Sequence, residues 1–166
     1  MRKLIYLVAV AALAVPAFAL AATPSAADKA AAVKQCTTER GGMGASAFKL
    51  LYGTNANRSN AFGKCVSTLA QKNEQERSNA AAQCRAARSA DAAAFTAKWG
   101  HKNAFGKCVS ATAKAAAAAR VQATINAAKA CSTEQKADAA TFNQKYGTGA
   151  NAFGKCVSAK VKHSTS

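Results

Sequence analysis

The chain has 166 residues, with 23 Lys and Arg against 7 Asp and Glu, a formal net charge of +16. That length suits one ordinary domain and excludes a large multidomain enzyme. The 50% hydrophobic content is mostly methyl groups, since 46 residues are alanine and only nine aromatics follow residue 21. A broad apolar core is therefore not expected, and helix is favoured almost everywhere because alanine loses no side-chain entropy on becoming helical.

Residues 1–21 read as a secretory signal. Arg2 and Lys3 form the charged start, residues 4–15 the apolar centre, and Pro16 breaks the helix ahead of cleavage after Ala19 or Ala21. An uncleaved anchor is the competing reading, because residues 4–22 carry no charge over 19 positions, close to a membrane span. The proline and the weakly hydrophobic alanines favour cleavage. Removal of the signal leaves 21 basic against 7 acidic residues, a charge of +14. The expected destination is secreted or cell-surface, with no transmembrane span after cleavage.

Residues 22–35 are expected to be an N-terminal segment, and residues 36–166 a single helical domain of three repeats with a short tail. The repeat is the most specific feature. Asn-Ala-Phe-Gly-Lys-Cys-Val-Ser stands identically at 60–67, 103–110 and 151–158. Upstream of each copy lie a cysteine, a Phe, and an aromatic four residues later followed by Gly. The units span about 36–67, 84–110 and 131–158, and each parses as helix, turn, helix.

In the first unit Cys36 is followed by Phe48, Tyr52 and Gly53, but Gly44 stands where the later units have a capping Asp. A long helix then runs from Ala61 to about Arg88. In the second unit Asp91 caps a short helix, Phe95 and Trp99 share a face at i and i+4, and Gly100 ends it. The next helix, from Ala104 to about Lys136, measures about 33 residues and about 50 Å. Asp138, Phe142, Tyr146 and Gly147 repeat the pattern in the third unit. Asn60, Asn103 and Asn151 are expected to cap the following helices through their side chains. Gly63, Gly106 and Gly154 are expected where a neighbouring helix or bridge approaches closely.

Helix length selects among the fifteen pairings of six cysteines. Cys65 and Cys84 share one predicted helix, as do Cys108 and Cys131, and they lie about 28 and about 35 Å apart. A disulfide needs alpha carbons within about 7 Å. Pairing across each turn is therefore expected, Cys36–Cys65, Cys84–Cys108 and Cys131–Cys156; a kinked long helix would instead bring a cross-unit pair such as Cys65–Cys131 within reach.

This combination of Cys, Phe-x-x-x-Tyr/Trp-Gly and Asn-Ala-Phe-Gly-Lys-Cys-Val-Ser resembles a repeat of uncharacterised secreted actinobacterial proteins. It covers residues 36–158. The resemblance implies export and the repeat, and it implies no activity.

The aromatic trios Phe48/Tyr52/Phe62, Phe95/Trp99/Phe105 and Phe142/Tyr146/Phe153 are expected to form three mini-cores around the bridges rather than ligand cages. Trp99 is expected to matter more for stability than Leu69, which falls in an alanine-rich seam. Zinc is disfavoured: no Cys-x-x-Cys pair exists, and the two histidines, His101 in a turn and His163 in a tail, match no site. No catalytic acid/base pair or nucleophile motif recurs, and Asp91 and Asp138 are better read as caps. No phosphate or dinucleotide loop is present. The sequence therefore points to an all-α, non-enzymatic, cofactor-free, metal-free protein. Its expected partners are anionic envelope or extracellular polymers attracted by charge. Extracellular nucleic acid is the alternative, and a hydrolase with an unrecognised site the remote one.

Overall fold

The computed structural model describes residues 23–164. The expected signal segment with its expected cleavage sites, and the last two residues, lie outside the described residues. Among the described residues there are seven helices: α1 (Ala26–Met43), α2 (Ala45–Tyr52), α3 (Ala61–Ala90), α4 (Ala92–Trp99), α5 (Ala104–Ala137), α6 (Ala139–Tyr146) and α7 (Ala152–Ser164).

Local chemistry explains most boundaries. Ser25 and Asp28 form a reciprocal capping box that starts α1. The expected N-terminal segment at 22–35 contains the start and first half of α1, with Ala32 fully buried. Asp91 and Asp138 accept from the amides of Ala94 and Thr141, capping α4 and α6. Gly100 and Gly147 follow those helices at φ 79° and 93°, a region that favours glycine.

The expected side-chain caps at Asn60 and Asn103 are corrected. Asn60 and Asn103 occupy the N-cap positions, yet neither side chain bonds an amide of its helix. Asn60 instead accepts from the Thr54 amide at 3.0 Å and donates to Thr54 Oγ1 at 2.8 Å, pinning the loop before α3. The expected close approaches at Gly63 and Gly154 are also absent, for a Cβ at either would meet nothing within 4 Å. At Gly106 a Cβ would meet the Asn103 side chain of the preceding turn at 2.5 Å, whereas at Gly42 it would lie 2.7 Å from Ile125 Cδ1, so α1 crosses α5 closely there.

The three bridges are Cys36–Cys65, Cys84–Cys108 and Cys131–Cys156, with alpha carbons 6.0–6.1 Å apart. Each joins consecutive long helices beside the turn that connects them. The long helices α1, α3, α5 and α7 therefore alternate in direction, and the first and third turns fall at one end of the bundle. There α2 packs on α1, α3, α5 and α7, whereas α4, at the opposite end, touches only α3 and α5.

This placement replaces the expected three mini-cores with two clusters. Units 1 and 3 share one core, in which Phe48, Leu69, Val121, Ile125, Phe142, Tyr146, Phe153 and Val157 are buried, with Leu50, Leu51 and Tyr52 packed on it. Unit 2 keeps a small core of Cys84, Phe95 and Cys108, flanked by the partly buried Trp99 and Phe105.

The first unit is longer because its extra residues join the two units. Arg58 donates to the carbonyl of Leu50 at 3.0 Å and to that of Ala150, in the third unit's loop, at 3.4 Å. In unit 2 the repeat's own lysine does a similar local job, Lys107 Nζ donating to the Trp99 carbonyl at the end of α4 at 3.2 Å.

Candidate functional site

Residues 72–77 and 120 build the polar centre of the bundle. Asn73, buried on α3, donates to the Asp28 carbonyl at 3.0 Å and accepts from Arg120 at 2.9 Å. Arg120 pairs with Glu76 at 2.7 Å, and both side chains are largely covered. Arg77 reaches Asp28 at 3.5 Å and Glu74 at 3.8 Å. Burial draws the Asp28 carboxyl upward, but the Ser25 hydrogen bonds and Arg77 outweigh it and hold Asp28 below its ordinary range.

Glu39 is fully buried and accepts from the Tyr52 hydroxyl at 2.5 Å. Burial pushes its pKa up, against the opposing effects of Tyr52 and Arg120. Burial and the neighbouring Glu39 carboxylate likewise push the Tyr52 phenol up. Glu39, with no solvent access, holds α1 to α2 through Tyr52.

The remaining acids are also engaged. Asp91 and Asp138 cap helices, and hydrogen bonds from Thr141 hold Asp138 below its ordinary pKa. Glu134 binds Lys160 at 2.9 Å and Lys145 at 3.4 Å, and the Lys160 hydrogen bond leads the effects that lower its pKa. All seven acids thus have structural partners. Among the described residues, no three His, Cys, Asp or Glu side chains gather where a metal ion would be held.

The basic residues are placed differently. Lys29, Lys34, Lys49, Lys64, Lys72, Lys98, Lys102, Lys114, Lys129 and Lys136 are all exposed. Lysines and aromatics come together at the unit 2 end. There Lys98, Trp99, Lys107 and Lys114 border an open cleft of about 680 Å³ together with Asn103 and Gly106. Lys98 Nζ lies 5.3 Å from the Trp99 ring centroid, and the Arg88 guanidinium 5.3 Å from that of Phe105.

The sequence-derived aromatics are distributed unevenly. Phe48 and Tyr52 are 5.0 Å apart and Phe48 and Phe62 6.3 Å, with Phe62 left exposed. Phe95 and Trp99 are 6.5 Å apart, and Phe142 and Tyr146 4.9 Å. His101 lies in the bend before α5, whereas His163, expected in a tail, belongs to α7. Sequence reasoning missed the Asp28/Asn73/Glu76/Arg120 group. Its only local signal was polar residues on helix faces that elsewhere carry alanine.

Among the described residues no helix is long and apolar enough to cross a membrane. The chain finds no match among protein-family models, curated proteins or solved structures.

Proposed function

We propose that the chain is an exported, non-catalytic, cationic helical module that attaches to anionic envelope or extracellular polymers by distributed charge. The observation that carries this reading is the engagement of every acidic side chain in caps, internal pairs or Lys pairs while the lysines named above face solvent. The net charge is then presented outward with little local cancellation. The signal-like start, the three disulfides and the resemblance to secreted actinobacterial repeats support export, since disulfides persist in oxidising compartments.

The test is retention of the mature protein on purified cell-wall polymer and on DNA across a salt series. Each engaged cation releases a counterion, so retention falls steeply as salt rises within the range where screening acts over about 10 Å at 0.1 M. Lys129→Gln weakens retention slightly, and multiple neutralisations weaken it progressively. Tight retention at molar salt, or its complete loss from that one substitution, overturns the reading. Stronger salt-matched retention on DNA than on wall polymer selects the nucleic-acid alternative.

A further inference from the structure

We propose that the outer end of the α3–α5 hairpin is a contact for an anionic phospholipid surface, with Trp99 seated at the headgroup level. The proposal rests on attachment to anionic material and names where, and to what, this end of the molecule attaches.

The hairpin projects. Asp28, at the start of α1, lies beside Arg77, and α3 continues for 13 residues to Ala90, about 20 Å further along the helix. The acids of α3, Glu74 and Glu76, therefore sit beyond about two screening lengths of the end at 0.1 M salt. The one acid at this end is Asp91, whose carboxylate accepts from the Ala94 amide at 2.8 Å. The exposed Arg88, Lys98 and Lys102 belong to the same end, and the exposed Lys114 borders the cleft with Lys98 and Trp99. The opposite end differs: Glu134 draws Lys145 and Lys160 onto itself there.

The aromatic at the end of α4 also departs from its counterparts. Tyr146 is buried and Tyr52 is tied to Glu39, whereas Trp99 is partly exposed beside the Cys84–Cys108 bridge and borders the open cleft with Lys98, Lys107 and Lys114. An indole among lysines matches the boundary between headgroups and acyl chains, where its apolar body and polar N–H are both accommodated. Stacking on a nucleobase or a sugar ring is less well served. Lys98 lies over Trp99 and Arg88 over Phe105, so each ring already has a cation of this chain at one face.

The experiment uses the mature, disulfide-intact protein and the emission of its sole tryptophan. Vesicles of phosphatidylcholine, with and without phosphatidylglycerol, are compared with a single-stranded oligonucleotide. The expected result is co-sedimentation with the anionic vesicles, a blue shift of Trp99 emission and protection from acrylamide, none of them with phosphatidylcholine alone. Lys98→Gln/Lys102→Gln/Lys114→Gln lowers vesicle partitioning by about tenfold or more, each lysine acting close to the surface. The charge-matched Lys49→Gln/Lys64→Gln/Lys136→Gln variant, changed at the other end, loses less. Co-sedimentation with unchanged Trp99 emission, equal losses in both variants, or a shift with the oligonucleotide alone overturns the lipid contact while leaving charge-driven attachment standing. Failure to bind vesicles, wall polymer and DNA at low salt overturns both.

Discussion

Tyr52 donates to Glu39 Oε2 across 2.5 Å, joining a tyrosine on α2 to a fully buried carboxyl on α1. Because burial raises the Glu39 pKa, the folded state holds this proton more tightly than the unfolded chain. The associated stability is fully present below the ordinary value of 4.5 and is lost as pH rises through the raised value. Glu39→Gln keeps an acceptor for Tyr52 and removes the titration. Its denaturation midpoint is expected to stay nearly level over the interval in which that of the parent protein declines. Glu39→Ala strands the Tyr52 hydroxyl and costs about 1–3 kcal/mol. Denaturant titrations of the three proteins at several pH values between 4 and 8 check this; a parallel decline for Glu39→Gln assigns the pH dependence to other groups.

The two-cluster core reverses the expected order of Leu69 and Trp99. Leu69 is 2% exposed within the shared core, while Trp99 only flanks the small unit 2 cluster. Leu69→Ala is expected to cost about 2–5 kcal/mol. Trp99→Ala should cost less, because the indole stays partly exposed at the edge of the small unit 2 cluster. Both are followed by circular dichroism, since Trp99 is the only tryptophan. A larger loss for Trp99→Ala would restore the three-mini-core description.

The bridges should differ in reach although their loops are similar, with cysteine separations of 29 for Cys36–Cys65 and 24 for Cys84–Cys108. The loop-entropy model assigns each about 3.5 kcal/mol. Replacing Cys84 and Cys108 together by alanine is expected to speed amide exchange mainly in residues 84–108, where few contacts remain to compensate. The same replacement at Cys36 and Cys65 lowers protection throughout the shared core. Hydrogen exchange resolved by peptide reads the difference, and equal spread in both variants counts against a separate unit 2 cluster.

Arg58 combines a backbone cost with a side-chain gain. Its φ of 55° lies in the left-handed region, and its guanidinium joins α2 to the third unit's loop. Arg58→Ala loses the hydrogen bonds and keeps the strained backbone. Arg58→Gly loses the same bonds but relieves roughly 1–2 kcal/mol of backbone cost, partly offset by greater freedom of the unfolded chain. Glycine should therefore be the less destabilising substitution, as thermal midpoints of the two variants will report.

Helices, repeats and cysteine partners were legible in the linear chain because short-range rules govern them. Asp91 and Asp138 announce helix starts, alanine-rich runs sustain α3 and α5, and a rigid helix keeps Cys108 from reaching Cys131. The clustering of the units was not legible, because identical octapeptides acquire different neighbours. Leu50 and Leu51 on α2 pack onto the shared core, whereas the corresponding positions on α4 are Ala97 and Lys98. Even between the two units of the shared core, Phe153 is buried while Phe62, in an identical octapeptide, is exposed. Asn60 likewise satisfies the helix-cap rule by type and position, but Thr54 offers its side chain better-placed partners. The meeting of Arg120 with Asn73 and Glu76 spans 47 and 44 residues. No local pattern encodes such a contact, since it exists only after α3 and α5 have aligned and removed those polar groups from water.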